Sequence, residues 1–236
     1  MDTTPTALTK PPVDIPGMYQ NAVPGPTHGC TTGSFPGGFD NDGILNTSLR
    51  SVDLIPRGLA YDCRVLDAGG NLIAEIGWDG SSNLTVTGTI FIDGNIVENN
   101  QNHVVYHGQG TIYASGTISI SNQTTICGTD INCTTNWDVS HDLLAFVSGA
   151  SCPGNGSRLD GFNVDNYSTF QGAIYTVCDC GEGNHTTVWG PIISRQVYFQ
   201  NSTTNFYVPI GTPLSGMPAT YEQVVTIAPE PGSWGT

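Results

Sequence analysis

Apolar and polar residues alternate along two long stretches of the chain. Between Leu84 and Ile92 every even-numbered position is apolar or glycine, and the run from Gly110 to Ile120 repeats the same pattern. Because successive side chains of a strand point to opposite faces, this period of two predicts strands with one buried face. No segment carries the apolar stripe of an amphipathic helix, so we predict an all-β chain with little helix.

A short motif introduces the later strands at a regular interval. The tetrapeptide Asn-x-(Ser/Thr)-Thr begins at Asn122, Asn166, Asn184 and Asn201, with weaker copies at Asn83 and Asn102. Asn can adopt the left-handed conformation at a corner, and the hydroxyl groups that follow can bond the backbone. A repeat of about twenty residues is typical of solenoids. We therefore predict a parallel β-helix, or β-solenoid, and the usual hand of crossover connections makes it right-handed.

The regular pattern sets the limits of the predicted domain. Residues 1–38 are rich in proline and lack periodicity, which is typical of a leader or linker. Residues 39–228 are interpreted as one β-solenoid domain, with capping strands in 44–76 and rungs in 83–210. Residues 229–236 are assigned to a tail, because Pro229 and Pro231 end the last candidate strand.

The period is interrupted in the second half of the chain. Residues 128–141 and 149–161 are rich in Cys, Asn, Gly and Asp, and we interpret them as loops inserted at one corner and held by disulfides. Insertions in solenoids gather on one face, which is often the binding face. We therefore expect any working surface at these interruptions and at 178–185.

Charge excludes two classes of partner. Only 11% of the residues are charged, and 20 acidic residues against 6 basic ones give a net charge of −14. This charge repels a nucleic-acid backbone and an anionic membrane surface. No apolar run is long enough to span a membrane, and residues 1–20 contain no export segment.

The chain has seven cysteines, which together with the scarcity of lysine favour an oxidising exterior. An odd number leaves one thiol free or paired with another chain. Sequence does not define the connectivity, and the hypothesis for Cys127 is a bond to Cys133 or to Cys63. The disulfide candidates are Cys63, Cys127, Cys133, Cys152, Cys178 and Cys180.

Eight Asn-x-Ser/Thr sequons occur, which would ordinarily indicate N-glycosylation. Several of them coincide with the corner of the repeat. A turn that prefers Asn followed by hydroxyl residues creates sequons without any glycan, so we interpret them as architecture.

Two segments contain weak candidates for metal ligands. Cys178, Cys180 and His185 lie within eight residues, with the Glu182 carboxylate between them, and could close on zinc. Two disulfide partners near a corner are the simpler interpretation. Asp40 and Asp42 resemble the start of a calcium loop, but the glutamate that an EF-hand requires is absent. We expect no cofactor, with calcium as the one alternative.

Catalysis has little support in the sequence. Polysaccharide-cleaving β-helix enzymes use paired acidic residues, whereas the aspartates of this chain are spread singly among its loops. A strip of aromatic residues could instead bind sugar, with Trp78, Trp137, Trp189 and Tyr198 as candidates. A non-enzymatic role is favoured.

Four strings of residues, taken together, resemble a known family. They are Tyr-Asp-Cys-Arg-Val at 61–65 and the segments 84–94, 106–118 and 170–175. They resemble a bacterial domain family of unknown function that follows minor-pilin-like N-terminal segments in pilus-assembly proteins, with a match over about residues 39–210. The resemblance implies a pilus-associated β-solenoid at the cell surface, and it supplies no catalytic residue.

The sequence thus predicts an exported, extracellular or cell-surface module with a structural or adhesive role. Its expected partners are pilus or envelope proteins or surface glycans. Two alternatives remain open: a polysaccharide-binding or polysaccharide-cleaving β-helix protein, and a self-assembling solenoid scaffold.

Overall fold

The computed structural model of the protein describes residues 27–33, 51–134, 136–152 and 160–206. All regular elements in these ranges are strands, which confirms the prediction of an all-β chain. The described strands are β1 (Thr27–Thr32), β2 (Ser51–Val52), β3 (Tyr61–Leu66), β4 (Leu72–Trp78), β5 (Asn83–Ile92), β6 (Asn95–Glu98), β7 (His103–His107), β8 (Gln109–Ala114), β9 (Ile118–Ile120), β10 (Thr125–Cys127), β11 (Leu143–Ser148), β12 (Phe162–Val164), β13 (Thr169–Gln171), β14 (Ala173–Thr176), β15 (Cys180–Glu182), β16 (Thr187–Trp189), β17 (Ile192–Ile193), β18 (Val197–Phe199) and β19 (Thr204–Phe206).

From β5 onward, strands pair in parallel with strands of the neighbouring repeats. Three rows result, which we call row one (β5, β7, β10, β13, β16, β19), row two (β5, β8, β11, β14, β17) and row three (β2, β6, β9, β12, β15, β18). Three consecutive strands, such as β7, β8 and β9, contribute one strand to each row and form one unit. The segments that the sequence pattern equated are in register, since Ile90 pairs with Ile112 and Ala145 with Ala173.

Strand β5 belongs to two rows because it bends at Gly88. Its first half pairs with β7 and its second half with β8. Gly88 has φ of 67°, and a Cβ there would lie 2.2 Å from the carbonyl oxygen of Ile73. Only glycine fits both the conformation and the space.

The three rows enclose one apolar core. Phe146 from row two, Phe162 from row three and Phe170 from row one meet there, with ring centroids 5.4 to 6.1 Å apart. Such tilted packing is the favourable geometry for aromatic rings. A core shared by all three rows explains why one unit could not bury its apolar face alone.

Antiparallel strands precede the parallel rows. Strands β1, β3, β4 and β5 pair in that order. Cys30 in β1 lies opposite Cys63 in β3, and the two form a disulfide. Residues 27–33 fall inside the segment predicted to be a leader or linker, and Thr27–Thr32 within it form β1, which pairs with β3. The rest of the predicted leader and the tail 229–236 lie outside the described residues.

Candidate functional site

The first interruption of the repeat, residues 128–141, lies between β10 in row one and β11 in row two. The Cys127–Cys133 disulfide closes its base, so Cys127 takes one of the two partners that the sequence left open. The buried side chain of Gln171 in β13 holds the loop. Its Oε1 accepts hydrogen bonds from the backbone N–H of Gly128 (3.0 Å) and from the Thr129 hydroxyl (3.1 Å), while its Nε2 donates to the Thr134 carbonyl (3.0 Å).

The far end of this loop is also fixed. The indole of Trp137 packs against the core, and its Nε1 donates to the Asp142 carbonyl over 2.6 Å. The Asp142 carboxylate accepts the backbone N–H of Gly108 over 2.8 Å. Gln109 Nε2 donates to the Val139 carbonyl over 3.0 Å. The described part of the loop is therefore bonded to both neighbouring rows.

The second interruption, 149–161, lies between β11 in row two and β12 in row three, where the Cys152–Cys178 disulfide joins it to the next unit. The two interruptions thus leave the rows at different corners, and the prediction that they share one corner is wrong. Near the second one, the fully buried carboxylate of Asp179 accepts two hydrogen bonds of 2.8 Å from Arg195. These bonds raise the pKa of Arg195. This bidentate pair stabilises the corner.

The zinc candidates do not converge. Cys178 is bonded to Cys152, Cys180 packs in the core as a free thiol, and His185 is exposed and stacks on Tyr167 with ring centroids 4.6 Å apart. The candidate disulfide at Cys180 is therefore wrong. The chain bends between the two cysteines, and only Cys180 belongs to β15. Burial raises the pKa of the Cys180 thiol.

No group of three or more metal-ligating side chains occurs among the residues that the structure describes. Asp40 and Asp42, the calcium candidates, lie outside those residues.

The Asn-led motif forms the corner that leads into row one, although the left-handed residue differs from the expected one. The residue after the Asn has positive φ in the four clear copies, at Gln123, Tyr167, His185 and Ser202. The weaker copies predicted at Asn83 and Asn102 do not follow this rule. His103 pairs with Thr125, so Gln101, which also has positive φ, is the equivalent of Gln123. The Asn itself does so only at Asn122 and Asn166. The next residue points inward and is buried, as Thr124, Ser168 and Thr186 show. The sequon hydroxyls therefore have a structural place in the corner.

The aromatic residues proposed as a sugar-binding strip lie in different environments. Trp78 is buried and its indole N–H donates to the Pro56 carbonyl, whereas Trp137 belongs to the first loop and packs against the core. Trp189 stacks on Phe206 in row one with ring centroids 3.7 Å apart, while Tyr198 lies in row three. The strip as predicted is therefore not formed.

The most unusual ionisable side chains among the described residues are two glutamates that are fully buried. Glu98 at the end of β6 and Glu182 at the end of β15 are both fully buried. Burial, followed by the nearby Asp53 carboxylate, raises the pKa of Glu98 well above its usual range. Burial also raises the pKa of Glu182 to about 7, although the amide of Asn205 opposes this shift.

Sequence reasoning missed Glu98 and considered Glu182 only as a weak metal ligand, so it did not recognise either as a core residue, although a signal was present. Each lies two residues after an inward-facing residue, Ile96 or Cys180, and therefore occupies a core position of the period-two pattern. The register confirms this, because Glu98 pairs with Ile120 and Val164 pairs with Glu182. A charged residue at an inward position of the alternating pattern is therefore the sequence signal for such a buried carboxyl group.

Comparisons with protein-family models, with curated proteins and with solved structures give no match for this chain. No helix long and apolar enough to cross a membrane is found in the described residues.

Proposed function

We propose that this chain is a right-handed parallel β-solenoid that is exported and acts as a structural or adhesive module at the cell surface, associated with a pilus or the envelope. The observation that carries this proposal is the combination of stacked parallel units with disulfides at Cys30–Cys63, Cys127–Cys133 and Cys152–Cys178. Disulfides persist in oxidising compartments, and stacked units give an elongated, laterally exposed surface.

The placement of the carboxylates supports a binding or structural role over hydrolysis. Asp67, Asp79, Asp130 and Asp138 accept backbone N–H groups within their own turns. Glu98 and Glu182 are buried away from any substrate. A glycosidase needs two carboxyl groups that reach the same glycosidic bond, and the carboxylates named here serve the fold instead.

The environment of the first strands argues against the self-assembling alternative. Row one is preceded by antiparallel strands β4, β3 and β1, and the segment after β2 places Leu54 and Ile55 in the core. Open-ended stacking needs a free strand edge at both ends. Growth through the edge beside β5 in row one would have to displace these strands.

Localisation tests the proposal directly. Antibodies against the domain should label intact cells of the source organism, and external protease should remove the label. Peptide mapping without reducing agent should recover the three disulfide-linked peptide pairs from the native protein. Label that appears only after permeabilisation, together with free thiols at those cysteines, would contradict export.

Adhesion needs its own measurement. Beads that carry the domain should bind to a pilus, to envelope fragments or to cells of the same organism more strongly than beads that carry the reduced and alkylated chain. Equal binding by both bead types would show that the folded surface has no adhesive role.

A second candidate, polysaccharide binding, has one specific observation in its favour. The outward side of row one carries the Trp189–Phe206 stack, a neighbouring column of Thr169, Thr187 and Thr204, and the exposed Tyr167. Aromatic rings and hydroxyl groups together suit sugar rings. However, the stacked rings of Trp189 and Phe206 use their faces on each other, which leaves fewer faces for a sugar.

Binding to immobilised polysaccharides before and after Phe206→Ala tests this candidate. Thr89→Ala, an exposed change in row two, is the matched control. Selective loss with Phe206→Ala favours a glycan role, and equal binding by both variants excludes this surface.

A further inference from the structure

Glu98 lies where the segment between β2 and β3 enters the core. Its Oε1 accepts the buried backbone N–H of Leu54 over 2.7 Å, while its Oε2 is buried without a hydrogen-bond partner. The carbonyl groups of this segment are also held by side chains. Tyr61 bonds Leu54 O at 2.6 Å, Asn102 bonds Ile55 O at 2.6 Å, and Trp78 bonds Pro56 O at 2.8 Å. We call residues 53–57 the plug, because they place Leu54 and Ile55 in the core beside the end of β6.

Glu182 is likewise a buried carboxyl group, and it lies next to the last complete unit of the described chain, which consists of β16, β17 and β18. Its Oε2 accepts a hydrogen bond of 3.2 Å from the Asn205 amide, and its Oε1 is buried without a partner. Its strand neighbours are Val164 in β12 and Phe199 in β18. The donor that reaches this carboxyl group is thus neutral.

Both glutamates belong to a single column of the core. The register of row three runs Glu98, Ile120, Val164, Glu182 and Phe199. The two carboxyl groups thus flank two aliphatic residues, one beside the plug and one beside β18. An ionised carboxylate in such surroundings is costly unless a cation pairs with it, whereas a protonated carboxyl group is tolerated.

We propose that the protonated carboxyl groups of Glu98 and Glu182 stabilise the packing of the plug and of the last described unit under acidic conditions. As the pH rises and these groups ionise, this packing loosens. The proposal does not depend on the function proposed above. It is a conformational device built into the core of the fold.

The groups that face each glutamate support this behaviour. Asp53, on the plug, and Tyr61, in β3, are the titratable groups that interact with Glu98, and neither supplies positive charge. The cation in the same region, Arg57, is engaged by the Asn102 side chain and the Asn100 carbonyl. At Glu182, the titratable neighbour is the thiol of Cys180 in the same strand. Ionisation of either glutamate would therefore leave a buried negative charge unpaired.

The direction of the effect follows from proton linkage. A carboxyl group whose pKa is higher in the folded than in the unfolded protein stabilises the fold fully below the unfolded value, and this stabilisation is lost as the pH rises. For Glu182 the loss spans the interval from about 4.5, the ordinary pKa of a glutamate, to about 7. For Glu98 the loss also begins near the unfolded value of a glutamate, and it extends to higher pH because burial and the Asp53 carboxylate raise its pKa well above the usual range. Within each interval the unfolding equilibrium constant should increase by up to about tenfold per pH unit.

Urea unfolding between about pH 5 and about pH 8.5 tests the proposal on the full chain. The wild-type midpoint should fall as the pH rises. Glu182→Gln and Glu98→Gln should each make this decline shallower, because glutamine keeps the shape without the titration. For Glu182→Gln the difference from the wild type should develop only up to about pH 7. Glu75→Gln, in β4 and paired with the partly exposed Arg64, is the control and should follow the wild-type curve.

Two further measurements keep the test decisive if Glu98→Gln does not fold. Infrared spectra of the folded wild-type protein near neutral pH should contain the carbonyl band of a protonated carboxyl group. Asp53→Asn removes the neighbouring negative charge, so the loss of stability assigned to Glu98 should end at a lower pH and be smaller in total. A midpoint that stays flat or rises with pH, or a spectrum without the protonated band, would overturn the proposal.

Discussion

At the scale of single residues, the corners of the repeat combine two requirements. The second position of each clear Asn-led corner takes a left-handed backbone, as at His185 with φ of 54°, while the third position is a small residue that is buried inside the corner, as at Thr124, Ser168 and Thr186. Non-glycine residues tolerate this conformation when they are not β-branched. This explains why the second position varies freely among Gln, Tyr, His and Ser.

His185→Val should therefore destabilise the protein by about 1–2 kcal/mol, because a β-branched residue resists positive φ. His185→Asn is the matched control and should be close to neutral, since Asn accepts this conformation. Urea unfolding of both variants measures the difference. Equal stabilities would show that the corner does not constrain its second residue.

Gln171 is the residue on which the first loop depends. Gln171→Ala removes three hydrogen bonds and leaves the Gly128 N–H without its acceptor, so we expect a loss of about 2–3 kcal/mol in unfolding free energy. Cleavage by protease should also increase between 128 and 134. Gln200→Ala, at an exposed position in the loop after β18, should change neither quantity.

At the scale of elements, the disulfides differ in the length of chain they close. Cys30–Cys63 spans 33 residues and Cys152–Cys178 spans 26, whereas Cys127–Cys133 spans 6. Chain entropy gives the longer loops more stabilisation. The disulfide of the first loop is thus the least important of the three for global stability.

Paired Cys→Ala variants should show this order. We expect about 3.5 kcal/mol of lost stability for either longer loop and about 2.4 kcal/mol for Cys127–Cys133. Thermal and urea unfolding of the three double variants, with Cys180→Ala as the thiol control, measures it. A larger loss at Cys127–Cys133 than at the other two would contradict the entropic account.

At the scale of the whole molecule, stability should be greatest in mild acid. Hydrogen bonds from Asn83, Ser81 and Ser82 lower the pKa of Asp79, although burial alone would raise it. Similar turn bonds lower the pKa values of Asp67 and Asp138. These carboxylates stabilise the fold above their unfolded pKa near 3.8, and the stabilisation is lost as the pH falls. The buried glutamates have the opposite effect, because they lower the stability of the fold as the pH rises.

The urea midpoint should therefore decline again below about pH 4. Asp79→Asn should lower stability at neutral pH and weaken this acid dependence, because the amide no longer titrates. Asp93→Asn is the comparison: its carboxylate accepts the Ser115 hydroxyl over 2.7 Å, and the variant should retain the acid dependence of Asp79. An acid limb of unchanged slope in Asp79→Asn would show that this turn does not contribute.

The local pattern was sufficient for much of the fold. The alternation in β5 and β8 gave the inward positions, and the Asn-led motif gave the register of β13, β16 and β19. Both are periodic properties, so each copy supports the others. The pattern could not locate the interruptions in space, because a corner is defined only after the units are stacked.

The candidate site was less accessible to prediction. Cys178 and Cys180 have the spacing of two residues on the same side of a strand, yet a bend sends one to a disulfide and leaves the other in the core. Glu98 and Glu182 carried a detectable signal, but only burial and pairing show that their carboxyl groups lack a cation.

The sequence alone determined the all-β class and the repeated register, because alternation and motif spacing are local and every copy follows the same backbone geometry. The tertiary structure alone decided which cysteines pair, which corner each loop leaves and which carboxyl groups lose their solvent. These depend on distances between residues far apart in sequence, which exist only when the rows are packed around their common core.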